Sequence, residues 1–244
     1  MAEPEVTIFA DAAALARAAA SRWLALAETA VAARGRFSVA LSGGSTPRAL
    51  FELLGQPPFA AALWAQTHVF WSDERLVPPD DPGSNYRQAQ DLLLSRAPLP
   101  AANVHRVHGE LDPQAAAEAY TKQLHAFAAG RGWPRFDLVL LGLGSDGHTA
   151  SLFPGEPDPA EQRVPVLAVT ADYQDRPARR VTFTPLLINA ARHVLFLVSG
   201  ADKANALAAT LRGPHDPARY PAQRIRPVDG ALTWFVDQAA ARRL

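Results

Sequence analysis

A chain of 244 residues that balances 24 Lys+Arg against 24 Asp+Glu has no global field with which to recruit nucleic acid or an acidic membrane. The absence of cysteine removes disulfides, thiolate metal sites and thiol nucleophiles, and no run approaches the roughly 20 apolar residues of a membrane span. Any anionic ligand must therefore be captured by a local constellation. The acidic segment from Met1 to Glu5 lacks the basic-then-apolar pattern of a signal peptide, so a cytoplasmic location is expected.

Leu15, Ala19, Trp23, Leu26 and Ala30 recur at helical spacing and mark one face of a helix that Gly35 stops. Residues 37–41 read as the first central strand. Ser42, Gly43, Gly44, Ser45 and Thr46 follow, then a helix through Leu54 with Ser45 or Thr46 as cap and Pro47 in its first turn. Residues 68–71 form a second short strand that ends at Ser72-Asp73-Glu74-Arg75, and a Pro/Asp/Gly loop spans 77–84. Helix resumes over 85–96, a short edge strand is expected at 104–106, and 113–129 is helical with Asp112 as cap.

The apolar run 138–141 reads as a buried parallel strand. Pro165 makes 164–169 an edge strand or a strand start. Further strands are expected at 180–183, 194–198 and 232–236, with helices at 185–190 and 203–211. This alternation predicts an α/β sandwich with a mainly parallel sheet, and the Pro- and Asp-rich stretches read as loops within a single domain over 1–244.

Four loops lie just past strands, where open α/β sheets bind ligands. In Gly142-Leu-Gly-Ser-Asp-Gly-His-Thr149 the glycines let peptide N–H groups approach an anion, while Asp146 and His148 supply a base and its orienting partner. A plain turn with a solvated histidine fits the same residues. Gly142, Gly144 and Gly147 also meet the dinucleotide spacing, but Phe153-Pro154-Gly155 interrupts the helix that such a site needs.

The Ser42 to Thr46 loop combines two glycines, three hydroxyls and a helix N-terminus, either an anion site or a tight hydroxyl-capped turn. Its sequence is not that of a Walker loop. Asp73-Glu74-Arg75 is either an ion pair on a solvated turn or the means by which Arg75 reaches a crevice. Arg180 lies beside an apolar strand, and Lys203 falls in a first helical turn, where the macrodipole disfavours a cation unless an anion is near. The other histidines read as packing or surface residues, and no spacing suits a metal.

Leu41-Ser-Gly-Gly-Ser-Thr-Pro47, Trp71-Ser-Asp-Glu-Arg75 with Ser84-Asn85-Tyr86, and residues 142–154 together resemble the 6-phosphogluconolactonase family. Arg180-Val-Thr-Phe-Thr184 and Gly200-Ala-Asp-Lys-Ala204 are similar to further blocks of it, in the same order. The resemblance implies a Rossmann-like three-layer α/β sandwich and hydrolysis of 6-phospho-D-glucono-1,5-lactone in the oxidative pentose phosphate pathway. It further implies His148 as general base, Asp146 as its orienting partner and Arg75 at the reacting carbonyl. The loop Ser42, Gly43, Gly44, Ser45 and Thr46 would hold the 6-phosphate with Arg180 and Lys203, and Asp73 the sugar hydroxyls. No metal or other cofactor is expected, and the partner is a small sugar-phosphate lactone. A monomer is favoured.

Two other readings remain. A glucosamine-6-phosphate deaminase carries an acidic residue after its Asp-Gly-His loop and a tyrosine where Arg75 stands, and residues 149–154 contain no carboxylate. A non-catalytic sugar-phosphate sensor normally carries a DNA-binding module, and neither a helix-turn-helix appendage nor a basic tail is evident.

Overall fold

A computed structural model describes residues 4–56, 61–171 and 176–244. Strand β1 (Glu5–Phe9) leads into α1 (Ala12–Arg34), which Asp11 caps through the Ala14 amide and Gly35 ends in the left-handed conformation. Strand β2 (Phe37–Leu41), α2 (Thr46–Leu54), α3 (Ala61–Ala65) and β3 (Thr67–Trp71) follow. After β4 (Asp73–Arg75) comes α4 (Asn85–Ala89), continued by a π-helical turn at Gln90–Leu94. The chain then runs through α5 (Pro113–Phe127), β5 (Leu138–Leu141), β6 (Val166–Thr170), β7 (Arg179–Phe183), α6 (Pro185–Ile188) and β8 (His193–Val198). It closes with α7 (Ala204–Arg212), β9 (Ala231–Asp237) and α8 (Gln238–Ala241).

Six strands form one parallel sheet in the order β1-β9-β8-β5-β2-β3. Its residues alternate between two cores, as the period of a strand requires. Leu138 and Leu140 pack with α1, α2 and the π-helical turn, while Val139 and Leu141 pack with α5, α6 and α7. Helices therefore cover both faces, giving the α/β sandwich that the alternation predicted. Asp137 registers the strands at their amino ends, where its carboxylate accepts from the Ser38 amide and hydroxyl and from Arg34, each at 2.8 Å.

The structure adds a second sheet that the strand pattern did not separate from the first. Strands β4, β7 and β6 pair antiparallel, so Asp73-Glu74-Arg75 is a strand rather than a turn. Its three residues are too few to show a period in the sequence. Pro165 stands just before β6 and accepts a hydrogen bond from Thr184 through its carbonyl, as a strand start allows.

The expected edge strand at 104–106 reduces to one bridge, Val104 to Val69. Part of the exposed edge of β3 is instead satisfied by Tyr120, whose buried hydroxyl accepts from the Trp71 amide at 2.8 Å and donates to its carbonyl at 3.0 Å. Strand β1 was not foreseen, because five half-exposed residues at a sheet edge carry little pattern. Among the described residues no helix is long and apolar enough to cross a membrane.

Candidate active site

The loop after β5 folds back on itself through the main chain. Gly144 N–H donates to the His148 carbonyl at 2.8 Å, and Gly147 N–H to the Gly144 carbonyl at 3.0 Å. Gly147 has φ of 88°, and a Cβ there would strike Tyr220. This closure brings Asp146 Oδ1 to 2.6 Å from His148 Nδ1 and to 3.1 Å from the His148 amide. A Cβ at Gly144 would overlap Nδ1 of His148 and Oδ1 of Asp146, so the dyad exists only because residue 144 has no side chain.

Partial burial raises the Asp146 carboxyl, but the hydrogen bond and charge of His148 outweigh it and hold the group at about 2. An ionised carboxylate at Nδ1 fixes the neutral ring with its proton there and its lone pair on Nε2. His148 lines the crevice, with 20% of its side chain exposed.

The facing wall is the small sheet. Asp73 pairs with Thr182 and Arg75 with Arg180 across β4 and β7, which puts all four side chains on one face. Arg75 Nη1 donates to the Gly83 carbonyl at 2.6 Å, and Arg180 Nε to the Pro177 carbonyl at 3.2 Å. Arg180, itself buried, also lies over the Phe153 ring. Asp73 Oδ2 accepts from Ser151 Oγ at 2.7 Å, and Asn85 Nδ2 donates to the Asp73 carbonyl at 2.9 Å.

Glu74 points to the other side of β4 and explains why Ser84-Asn85-Tyr86 accompanies it. Its buried carboxylate accepts from the amides of Asn85 at 2.7 Å and Tyr86 at 2.6 Å, and from Ser84 Oγ at 3.1 Å. Burial pushes the Glu74 carboxyl up to about 7 against the pull of those amides. The clamp sets the segment that carries Gly83 and Asn85, and through them Arg75 and Asp73.

The third element is the loop from Ser42 to Thr46. Gly44 sits at φ of 104°, and its carbonyl accepts from Gln88 at 2.9 Å. A Cβ at Gly43 would overlap the Asn85 side chain. Ser45 occupies the cap position of α2 but makes no side-chain capping bond, so its hydroxyl is not spent on the helix as the sequence suggested. Ser42 Oγ is buried with no hydrogen-bond partner among the described residues. Lys203 ends a short 3-10 turn and is the cap residue of α7, with Nζ 3.0 Å from Asp202.

One crevice of about 240 Å³ gathers Ser42 to Thr46, Asp73, Arg75, His148, Arg180 and Lys203. Of the residues singled out from sequence, Asp146 alone stands behind the lining, as the support of His148. Asn85, Ala150, Arg176 and Ser199 also line it, although no role had been assigned to them. Asn85 stood within a quoted motif; Arg176 and Ser199 carried no local signal. Guanidinium and ammonium groups, hydroxyls and glycine amides around a single imidazole suit an anionic ligand with a reacting group near His148. Among the described residues no three His, Asp or Glu side chains converge as a metal site would require.

The family model described as glucosamine-6-phosphate isomerases/6-phosphogluconolactonase matches residues 10–234. The chain belongs to this family. It is 44% identical over 219 residues to a Synechocystis sp. protein named 6-phosphogluconolactonase, covering 88% of each chain. The structure of 6-phosphogluconolactonase from Trypanosoma brucei matches with a TM-score of 0.87 at 31% identity, over 99% of both chains. A monomeric glucosamine-6-phosphate deaminase matches with a TM-score of 0.82, but at 20% identity it shares the fold alone.

The dependence of the dyad on residue 144 gives a direct test. Gly144→Ala is expected to lower kcat by roughly 10²-fold or more, the scale of a misplaced general base, with the thermal midpoint little changed. A fully active variant would mean that the close approach of Gly144 to the dyad has no catalytic consequence.

Proposed function

We propose that this chain hydrolyses 6-phospho-D-glucono-1,5-lactone to 6-phospho-D-gluconate in the oxidative pentose phosphate pathway. The observation that carries the reading is the Asp146–His148 dyad at 2.6 Å, set in one crevice with Arg75, Arg180, Lys203 and the Ser42 to Thr46 loop. Family membership supports the reaction, which we assign to a single domain over 1–244 acting as a monomer.

A δ-lactone is an activated ester, so a positioned base and a cation at the developing oxyanion suffice. His148 Nε2 takes a proton from water as the water oxygen bonds to the lactone carbonyl carbon. Asp146 stabilises the imidazolium that forms. Arg75 faces the carbonyl oxygen as its charge grows. Collapse breaks the bond between carbonyl carbon and ring oxygen, the imidazolium returns its proton to that oxygen, and the product acid ionises.

Amides and hydroxyls of Ser42, Gly43, Gly44, Ser45 and Thr46 bind the 6-phosphate with Arg180 and Lys203. Asp73 has acceptor capacity beyond its bonds to Ser151 and Asn85 and faces the sugar hydroxyls. The deaminase reading is disfavoured by residues 149–154, which offer no carboxylate beside the dyad.

Acid release from fresh phosphogluconolactone, followed against the spontaneous background, tests the reading. His148→Ala is expected to lose roughly 10²–10⁴-fold in rate. Asp146, held at about 2, stays ionised near neutrality, so its own titration should add no limb to the kcat/KM profile there. Near-normal kcat in His148→Ala would remove the base from the mechanism.

Anchoring separates from chemistry by substrate. Each charge-assisted contact is worth about 1.5–3 kcal/mol, so Lys203→Ala or Arg180→Ala should weaken use of the phosphorylated lactone roughly ten- to a hundredfold, mainly in KM. Turnover of plain gluconolactone should barely respond. Equal losses on both lactones would place these cations at the carbonyl instead.

A further inference from the structure

The loop that carries His148 begins on one sheet and ends on the other. Its start leaves β5 of the six-stranded sheet, and Thr149 Oγ1 ties it there by donating to the Gly142 carbonyl at 2.8 Å. Two residues later the chain is fastened to the small sheet. The Ser151 amide donates to Thr182 Oγ1 of β7 at 3.1 Å, and Ser151 Oγ donates to Asp73 Oδ2 of β4 at 2.7 Å. Ser151, Thr182 and Asp73 are all buried, so water does not compete for these bonds.

Between the two anchors Ala150 lies at φ of 48°, in the left-handed region that an alanine rarely adopts, within a tight turn closed by Leu152 N–H on the Thr149 carbonyl at 2.9 Å. A residue held there needs its neighbours fixed on both sides. Arg75 is two residues from Asp73 on the same strand face. The chain of contacts Arg75–β4–Asp73–Ser151 therefore ends three residues from the imidazole.

We propose that Ser151 is a positioning residue: its bonds to Asp73 and Thr182 set the distance between His148 on the large sheet and Arg75 on the small one. This rests on the roles given above to His148 and Arg75. Ser151 touches neither the reacting carbon nor the phosphate. Its contribution is to the geometry in which the water and the oxyanion meet their partners at once, a requirement that ångström-scale displacements defeat.

Kinetics on the phosphorylated lactone test this with Ser151→Ala and with Thr182→Val, which keeps side-chain shape while removing the oxygen that accepts from the Ser151 amide. Both should fold, verified by thermal midpoint, and Thr182→Val carries the test if Ser151→Ala does not. Each is expected to lower kcat roughly ten- to a hundredfold, and in Thr182→Val, which leaves the Ser151–Asp73 bond and the phosphate contacts in place, KM should change less than about threefold. In an Arg75→Ala background the same substitutions should cost less than about threefold further, since no guanidinium is left to register against.

Kcat within about twofold of the parent in both variants, while His148→Ala is inactive, would overturn the proposal. So would a loss that is fully additive with Arg75→Ala. Retained activity in His148→Ala would instead defeat the reading on which the proposal rests.

Discussion

The hydrogen bond between Asp146 and His148 sets demands that spread through the fold. At 2.6 Å it needs a backbone that turns back on itself within a few residues, which the main-chain bonds of Gly144 and Gly147 supply. It needs the space that a Cβ at position 144 would fill. It also needs the loop's far end to be fixed, and the left-handed Ala150, which stores about 1–2 kcal/mol of backbone strain, is stable only between firm anchors. The two sheets provide those anchors from opposite walls of one crevice.

Charge follows the same division. In a chain with no net charge, Arg75, Arg176, Arg180 and Lys203 all line the crevice between the small sheet and the loops of the large one. Arg75 and Arg180 stand directly opposite in the β4–β7 register, where Arg75 donates to the Gly83 carbonyl and Arg180 to the Pro177 carbonyl. Like charges directly opposite one another repel, and an anion bound beside them would offset that repulsion. Glu74 sits on the other face of the same strand, buried and bonded to the amides of residues 85 and 86. Its role is to hold the wall rather than to meet the ligand.

Much of this was legible in the sequence because the signals are local. The buried run at 138–141 and the glycines after it announce a strand and a ligand loop in consecutive residues, and Gly35 and Asp112 act at the helix ends as their types require. The second sheet was not legible. Strand β4 has three residues, two of them buried charges, and its partner lies more than a hundred positions away. Asn85, Ser151 and Glu74 were visible as letters within motifs, but their work depends on contacts across 10 to 78 positions that no local pattern encodes.

The account turns on His148 presenting a lone pair at Nε2 while Asp146 holds the proton at Nδ1. The side-chain ¹⁵N spectrum of the neutral imidazole, assigned by its absence in His148→Ala, measures this directly. A protonated Nδ1 and a pyridine-type Nε2 are expected, with the pattern lost in Asp146→Ala. A proton on Nε2 of the neutral ring in the parent protein would contradict the account.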